Sequence, residues 1–323
     1  MMTLAKLMRR SETAVFLIVA AIMVVIGLIN PAFWQADNLF NLLRANVIIG
    51  IMALSVLVVM ISGGIDVSFP AFAAAAMYLT VLAMNAYGHE GVLLPFIGAT
   101  LIGLICGLAN AFFIHTFRMI PLIVTLGSAS VVRGLLLGLV GTSIVNIDRM
   151  PPALIAFGRS SVEIGGAKLS VMVFVYLAIA GAVWWFLSRT MTGRSIFAYG
   201  DDAESAKRVG FNTRRTVYVA YGLAGALAGF AGLLHASMIW LANPRDFVGY
   251  ELDVIAAVVL GGASIFGGRG SVLGTLLGVF LLVLIKNSLI IMRVDNTWQG
   301  VVVGGVIVVA TALTAWRDRK TLA

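Results

Sequence analysis

Charged residues are scarce in this sequence. Lys, Arg, Asp and Glu make up 11% of its 323 residues, whereas hydrophobic residues make up 61%. A soluble domain carries roughly 25% charge, so the composition excludes the soluble class. The apolar runs approach the length of about 20 residues that a helix needs to cross hydrocarbon. In lipid only a helix or a closed barrel satisfies the backbone. The composition therefore predicts an all-α, polytopic bundle of about ten transmembrane helices.

The sequence is also poor in residues that carry catalysis or bind metals. Cys106 is its single cysteine, which excludes an intrachain disulfide. The three histidines, His89, His115 and His235, lack the spacing of metal ligands. The P-loop pattern GxxxxGK[ST] does not occur, so that device for holding nucleotide phosphates is missing. We therefore expect no enzyme activity, no cofactor and no metal, and any ATP hydrolysis would belong to a separate subunit.

Short loops separate the apolar runs, which predicts a single transmembrane domain over residues 1–323 with no soluble module. Most of the 22 Lys and Arg residues lie in inner loops if both termini are cytoplasmic, so the positive-inside rule favours that arrangement. It also assigns the net charge of +8 to topology rather than to nucleic-acid binding. No small-residue cleavage site follows the first apolar run, so we expect a retained helix there. The predicted spans are 13–29, 45–61, 70–86, 92–112, 120–140, 169–187, 217–240, 252–265, 271–291 and 298–314.

Two loops are longer than the others. The outer loop, residues 141–168, contains a Pro-Pro pair and mixed charge, and a lid, a docking surface and an ordinary connection all remain open for it. The inner loop, residues 189–215, contains a predicted short helix over residues 202–209. Acidic residues lie at the start of this helix and basic residues near its end, as the helix dipole favours, and a glycine follows as a left-handed stop. The residues of this predicted helix that would face a partner protein are Asp202, Glu204, Lys207, Arg208 and Gly210.

Five polar residues in or beside the spans are candidates for a solute pathway, namely Asp66, Ser68, Thr125, Ser128 and His235. Such groups are expensive in hydrocarbon, so they face the bundle interior, a partner or water. Two glycines before Asp66 let the chain turn, and Ser68 can cap the helix that follows. Structural capping and solute contact both remain open for Asp66. For His235, a hydrogen bond between helices competes with a pathway role.

The order of the spans permits a larger symmetry. The second to fifth spans and the seventh to tenth spans enter the membrane from opposite sides, and a polar break follows the first helix of each group, at residues 62–68 and 242–246. Inverted repeats with broken helices at corresponding positions are typical of transporters. The pattern therefore indicates an inverted repeat, although the residue identity between the two groups is slight.

Four motifs occur in order along the chain. They are GGIDVS at 63–68, IPLIVTLG at 120–127 with an Arg-Gly pair at 133–134, GRSIFAYG at 193–200, and ELDVIAAVVLGGAS at 251–264 with GGRGS at 267–271 and Gly274-Thr275. In these motifs the chain resembles the ribose-type permeases of bacterial ABC sugar importers, which are related to the branched-chain amino-acid permeases. The resemblance spans nearly the whole chain.

The resemblance implies a subunit of the bacterial inner membrane with three protein partners. These are a cytoplasmic ABC ATPase, a periplasmic solute-binding protein, and a second permease that is either a copy or a paralogue. It also implies that the short helix at 202–209 is the coupling helix that docks on the ATPase. Two departures stand out: Phe69-Pro70 follows the first motif in place of small residues, and Arg208-Val209-Gly210 ends the coupling helix in place of small residues.

The favoured function is therefore ATP-driven import of a small neutral monosaccharide or polyol by alternating access. The same machinery could carry an amino acid, a nucleoside or a furanosyl signalling molecule. A secondary transporter or channel would need a series of intramembrane carboxylates for ion coupling, and the sequence lacks one. Arg133 and Lys286 lie toward the outer halves of their spans, where snorkelling explains them. An intramembrane enzyme would need clustered His, Asp or Glu, which the sequence also lacks.

Overall fold

The structure is a computed structural model that describes residues 11–291 together with Trp298, Gly300, Val301, Gly304, Gly305 and Val308. Twelve α-helices and a two-stranded hairpin lie within residues 11–291. The helices are α1 (Ser11–Ile29), α2 (Ala36–Ile61), α3 (Phe69–Tyr87), α4 (Leu93–Phe117), α5 (Pro121–Leu135), α6 (Pro152–Arg159), α7 (Val171–Arg189), α8 (Met191–Asp201), α9 (Ala203–Arg208), α10 (Thr213–Ile239), α11 (Tyr250–Leu260) and α12 (Val272–Ile291).

Seven helices of the described chain are long and apolar enough to cross a membrane, which confirms a polytopic helical bundle. They are α2, α3, α4, α5 with its π-helical extension Leu136–Val140, α7, α10 and α12. The apolar part of α1, Val15–Ile29, is shorter, and α11 has only 11 residues. The predicted tenth span, 298–314, lies largely outside the described residues. The count of about ten spans therefore stays a prediction.

The bundle has two ends. We call the end at which the short helix α9 lies the α9 end, and the end at which the two-stranded hairpin lies the hairpin end. Helices α2 and α10 run antiparallel between them. At the hairpin end, Arg44 of α2 donates a hydrogen bond of 2.9 Å to the carbonyl of Met238 in α10. At the α9 end, Gly64, just after α2, lies against the side chain of Tyr221 in α10. Helix α10 packs on α3 and α4, and α2 packs on α11 and α12.

Small residues allow the closest of these helix contacts. A Cβ on Gly103 of α4 would lie 2.1 Å from the carbonyl oxygen of Gly225 in α10, and a Cβ on Gly225 would lie 2.2 Å from that of Gly103. Similarly, a Cβ on Gly261, at the end of α11, would lie 2.4 Å from the carbonyl oxygen of Gly274 in α12. In lipid, where helices gain little from apolar burial against each other, such backbone approach supplies much of the packing. The Gly-rich composition of these helices predicts this mode of packing.

The helices differ strongly in burial. In α2 the most apolar 18-residue stretch is 78% buried within the chain, whereas in α5 the corresponding stretch is 17% buried. The side chains of Ile51, Met52, Leu54 and Leu57 make α2 the centre of the core. Helix α5 contacts only α3 and α4 among the larger helix contacts and turns its remaining apolar surface outward. That surface is available to lipid or to another protein.

The two long loops are more structured than the sequence indicates. The outer loop contains α6 and an antiparallel hairpin of β1 (Ser161–Ile164) and β2 (Ala167–Ser170), a small piece of β-structure beside the all-α bundle. Glycines at 165 and 166, both at positive φ, form its turn. In the inner loop, α8 precedes the predicted short helix, which begins at Ala203 rather than at residue 202 and ends at Arg208. Because α8 contains several polar residues, a prediction from apolar runs does not detect it.

Candidate functional site

The chain breaks between α2 and α3, and glycine makes the break possible. Gly63 has φ +80°, and its amide donates to the carbonyl of Met60, while the amide of Gly64 donates to the carbonyl of Val59. This pair of bonds satisfies the last carbonyls of α2 in the manner of a Schellman motif. The chain then passes through Asp66 before α3 begins at Phe69. The break thus places an acidic residue between two of the most buried helices.

Asp66 is almost completely buried and is held by its own loop. Its Oδ1 accepts hydrogen bonds from the amide of Ser68 at 2.7 Å and from the Ser68 hydroxyl at 2.5 Å. The prediction that the Ser68 side chain caps α3 is wrong, because this hydroxyl donates to Asp66 and makes no cap bond to the helix. Asp66 fixes the turn because its carboxylate lies within reach of two donors of a neighbouring residue. Its role in solute contact stays a prediction.

The Asp66–Ser68 pair extends into two neighbouring helices. The side-chain amide of Asn110 in α4 donates a hydrogen bond of 2.9 Å to the Ser68 hydroxyl. From α5, the Thr125 hydroxyl lies 3.3 Å from the carbonyl of Ile65 and 3.4 Å from the amide of Val67. Residues Asp66, Ser68, Asn110 and Thr125 are all buried. The structure therefore joins three of the five predicted pathway residues in one polar network.

A cleft of about 610 Å³ lies between α4 and α5 above this network. Most of its lining is apolar. Among the described residues that line it, Ser128, Asn110 and the thiol of Cys106 are the hydrogen-bonding side chains. The Oδ1 of Asn110 is buried without a hydrogen-bond partner among the described residues. Ser128, one turn beyond Thr125, donates to the carbonyl of Thr125 at 3.2 Å. A cleft of this size with few polar groups is typical of a small-molecule passage or site.

His235 lies apart from this network, at the hairpin end of α10. Its ring packs on Phe247 with 4.7 Å between centroids, and its Nε2 lies 3.7 Å from Oδ2 of Asp246. That distance is too long for a hydrogen bond, so the predicted hydrogen bond between helices is not formed. The structure therefore separates His235 from the other four predicted pathway residues.

The inner loop presents α9 as a short helix capped at both ends. The Asp202 carboxylate accepts from the amide of Glu204 at 3.0 Å and from the Ser205 hydroxyl. At the other end, Gly210 has φ +91° and its amide donates to the carbonyl of Lys207 at 3.0 Å. The predicted stop at Gly210 is thus confirmed. The hydrogen bond from the Ser205 side chain, with those from the backbone of Ser205 and Glu204, lowers the pKa of the Asp202 carboxyl.

One face of α9 is attached to the bundle and the other is free. Ala206 is buried, whereas Glu204, Lys207, Arg208 and Val209 are exposed. Helix α8 packs on α9. It is itself fixed to the start of α10, because the Thr216 hydroxyl donates a hydrogen bond of 3.0 Å to that of Ser195 in α8. The exposed charged face can therefore meet another protein without disturbing the core.

Three backbone segments meet between α9 and the break, at a site that we name the glycine junction (Gly63, Gly200, Gly267 and Gly268). The amide of Gly268 donates a hydrogen bond of 2.9 Å to the carbonyl of Ile61, the last residue of α2. A Cβ on Gly267 would lie 2.5 Å from the carbonyl oxygen of Gly200 and 2.7 Å from the Cα of Gly63. The first, third and fourth sequence motifs thus meet here, and the second reaches the first through Thr125.

The sequence reading missed two features of the site. Asn110 completes the buried network, and the signal for it is an amide side chain in the middle of an otherwise apolar span. Lys286 of α12 pairs with Asp253 of α11, so snorkelling is the wrong explanation for it. Opposite charges in two predicted spans favour such a pair, but their separation along the sequence conceals it. Among the described residues, no three His, Cys, Asp or Glu side chains are grouped so as to hold a metal ion.

Comparison with known proteins agrees with the motif resemblance. The family model described as branched-chain amino acid transport system/permease component matches residues 38–311. The chain is 34% identical over 305 residues to the ribose import permease protein RbsC of Bacillus subtilis, covering 94% of this chain and 92% of that protein. It is 31% identical to the galactose/methyl galactoside import permease protein MglC of Salmonella typhimurium, covering 94% and 93%.

A third relative carries a different cargo in its name. The autoinducer 2 import system permease protein LsrC of Enterobacter sp. is 31% identical, covering 93% of this chain and 85% of that protein. The search of solved structures gave no significant match. Seven membrane-crossing helices, four motifs gathered around one break, and matches over nearly the full length agree with one another. The chain is therefore a multi-pass membrane permease that belongs to the branched-chain amino acid transport system/permease component family.

Proposed function

We propose that the chain is the membrane subunit of an ATP-driven importer, and that it passes a small neutral monosaccharide or polyol into the cytoplasm. The observation that carries this proposal is the similarity to ribose and galactose import permeases over more than nine-tenths of the chain. The cleft supports a neutral solute, because none of the described residues that line it is charged. A charged solute would need a compensating charge along an apolar passage.

The similarity to an autoinducer 2 import permease favours a second cargo, a furanosyl signalling molecule. Such a solute is also polar, so the apolar cleft with few hydrogen-bonding groups does not separate the two cargoes. Selection would then rest largely on the external binding protein. An amino acid or a nucleoside would use the same machinery.

The α9 end is the cytoplasmic end in this proposal, with both termini on that side of a bacterial inner membrane. Arg118, Arg194, Arg208, Arg215 and Arg269 lie on the connections at this end. The positive-inside rule supports this orientation. The chain forms one permease domain over residues 1–323.

Two groups of helices in this domain form an inverted repeat in our proposal. Helices α2, α3 and α4 correspond to α10, α11 and α12. Two observations support this: α2 and α10 run antiparallel, and each packs on the second and third helix of the other group. Each first helix is also followed by a break, at Gly63 after α2 and at Trp240 after α10, both with positive φ. This is the arrangement of many transporters that alternate access.

Helix α9 is the coupling helix in this proposal, and a cytoplasmic ABC ATPase is its partner. The chain has no P-loop of its own, so the ATPase supplies the energy. Its closure would push α9 and, through the glycine junction, the end of α2. The break that carries Asp66 follows directly, so the polar network below the cleft lies next to the moving segment. The exposed residues Glu204, Lys207 and Arg208 would form the contact.

A second permease, either a copy or a paralogue, would cover the outward face of α5. Cβ atoms on Gly127, Gly134 and Gly138 would meet nothing within 4 Å, so this face is both apolar and open to close backbone approach. Small residues of this kind allow helices of two chains to pack closely. The cleft between α4 and α5 would then lie beside the boundary between the two permeases.

Reconstitution tests this function. The purified chain in lipid vesicles is expected to hydrolyse no ATP and to take up no ribose or galactose. Uptake should appear only when a cognate ABC ATPase and a cognate sugar-binding protein are added on opposite sides of the vesicle membrane, with ATP on the side of the ATPase. ATP hydrolysis by the isolated chain, or uptake driven by an ion gradient without the ATPase, would contradict the proposal.

A further inference from the structure

A second cavity lies at the hairpin end, away from the cleft. Its volume is about 260 Å³, and most of its lining is polar. Its walls are formed by the first turns of α2, the end of α6, the start of β1 and residues of β2. Trp240 closes one side. We name this cavity the basic pocket, because Arg44, Arg159 and Lys168 line it, whereas Asp37 is the one carboxylate among the described residues of its lining.

The cations of the basic pocket have no carboxylate partner. Among the described residues, the only acid–base contacts within 4 Å are His235–Asp246 and Lys286–Asp253, neither of which reaches the pocket. Arg44 donates to the backbone carbonyl of Met238, and the Arg159 guanidinium lies 4.3 Å from the ring centroid of Trp240. Three cations face one carboxylate in this small cavity, so its net charge is positive and favours a further anion.

The other groups of the pocket are suited to an anion rather than to a sugar. Ser161 and Ser170 add hydroxyl donors, and Nε1 of Trp240 is buried without a hydrogen-bond partner among the described residues. An unpaired buried N–H donor is unfavourable, so a group that accepts its hydrogen bond is stabilised there. Arginine provides a planar fork that matches a carboxylate with two parallel hydrogen bonds. The excess of donors and of positive charge therefore selects an oxyanion.

We infer that the basic pocket receives a carboxylate side chain of the external solute-binding protein. This inference rests on the proposed function, which places the hairpin end outside the cell. The surface beside the pocket favours a protein over a free ion: all four residues of β1 are exposed, including the apolar Val162 and Ile164. An interface combines such apolar contacts with a charged rim that steers the partner. A free ion would leave these side chains in water.

Charge reversal within the pocket tests the inference. The permease–ATPase assembly is placed in lipid nanodiscs, and binding of its cognate solute-binding protein is measured against salt concentration. Arg159→Glu and Lys168→Glu alter exposed side chains, and Arg149→Glu is the matched control, because Arg149 is exposed at the same end and does not line the pocket. Arg44 is not changed, since it also holds Met238. Assembly yield and ATP hydrolysis without the binding protein verify that each variant is intact.

Each pocket variant is expected to weaken binding about tenfold at low salt, mainly through slower association, and to flatten its salt dependence, whereas the control changes less than about twofold. A Glu→Lys change on the binding protein that restores affinity for Lys168→Glu would identify the carboxylate. If a reversal lowers assembly, Lys168→Gln replaces it and is expected to weaken binding about threefold.

Three results would overturn the inference. In the first, the pocket variants and the control weaken binding equally. In the second, none of the variants weakens binding. In the third, inorganic phosphate binds the wild-type pocket while binding of the solute-binding protein is unchanged in every variant, which would show a small-anion site. The failure of the proposed function is distinct from these results, because the solute-binding protein would then not bind the wild-type assembly at all.

Discussion

Gly200, near the end of α8, lies so close to Ile61 that a Cβ on Gly200 would be 1.8 Å from the carbonyl oxygen of Ile61. The same oxygen accepts the hydrogen bond from the amide of Gly268. The carbonyl group of Ile61, at the end of α2, therefore contacts both the loop after α11 and the backbone that leads into α9. In the proposed mechanism, a displacement of α9 would reach the Asp66 break through these backbone contacts, without a flexible side chain between them.

Replacement of Gly200 by alanine is expected to disrupt this junction. The neighbouring atoms are backbone atoms of Ile61 and Gly268, which cannot rotate away, so the added methyl group separates α8 from α2. We expect the free energy of unfolding to fall by about 1–3 kcal/mol, as in overpacked cores. We also expect the permease to stimulate ATP hydrolysis by the ATPase less than the wild type does. Thermal unfolding in detergent and ATP hydrolysis by the assembly measure the two effects.

The matched control for Gly200→Ala is Gly181→Ala. A Cβ on Gly181, in the middle of α7, would meet nothing within 4 Å, so alanine there should be neutral or stabilising by up to about 1 kcal/mol. Equal melting temperatures for the two variants would show that the close approach at the junction is not required.

The carboxylate of Asp66 is expected to act first through its hydrogen bonds to Ser68. Asp66→Asn retains an acceptor oxygen for the amide and hydroxyl of Ser68, whereas Asp66→Leu leaves both donors unpaired in a buried loop. The leucine variant should lose about 1–3 kcal/mol and assemble poorly, and the asparagine variant should assemble nearly as well as the wild type. Yield of the folded assembly and uptake by vesicles are measured in parallel. Normal assembly of Asp66→Asn with uptake as low as that of Asp66→Leu would assign the residue to solute transfer instead.

Much of the fold follows from the sequence because apolar periodicity and length mark the spans. The predicted third span, 70–86, corresponds to α3, and the predicted ninth, 271–291, corresponds to α12. The sequence predicts the second span from residue 45, yet α2 begins at Ala36. The prediction begins too late because the first turns of α2 carry polar residues, which face the basic pocket. Hydropathy measures burial in lipid and therefore misses helix that extends beyond it.

The candidate site is harder to predict from the sequence than the spans are, because it depends on contacts between segments that are far apart along the chain. Glycines at 63, 200 and 267 each predict a turn or a close approach, but nothing in their spacing predicts that they approach one another. The network through Asn110 has the same origin, since its partner Ser68 lies 42 residues earlier. Motifs identify which residues matter, and only the tertiary packing shows that all four motifs surround one break.

The cap of α9 is expected to make this helix sensitive to acid. Hydrogen bonds from Ser205 and Glu204 lower the pKa of the Asp202 carboxyl. A carboxyl with a lowered folded pKa contributes stability that is fully present above its ordinary value of about 4 and is lost as the pH falls through the folded value. A spin label at the exposed Val209→Cys position, in a Cys106→Ala background, should therefore gain mobility only below about pH 4. The same label should show no such transition with Asp202→Asn, and an identical transition in that variant would assign it to another group.

The exposed face of α9 is expected to determine whether the ATPase and the permease act together. Arg208→Glu places a negative charge at the carboxyl end of the helix, which is unfavourable by roughly 0.3–1 kcal/mol. That penalty is too small to unfold the bundle, and no membrane-crossing helix is altered, so the amount of permease in the membrane should stay normal. Glu204→Lys reverses the charge at the other end of the same exposed face. Both variants should co-purify with less ATPase and should lose ATP-dependent uptake, which quantitative immunoblotting and vesicle uptake measure. Leu93→Ala, at an exposed residue of the hairpin end, is the control and should behave like the wild type. Wild-type ATPase binding and uptake in both charge-reversed variants would show that α9 only connects α8 to α10.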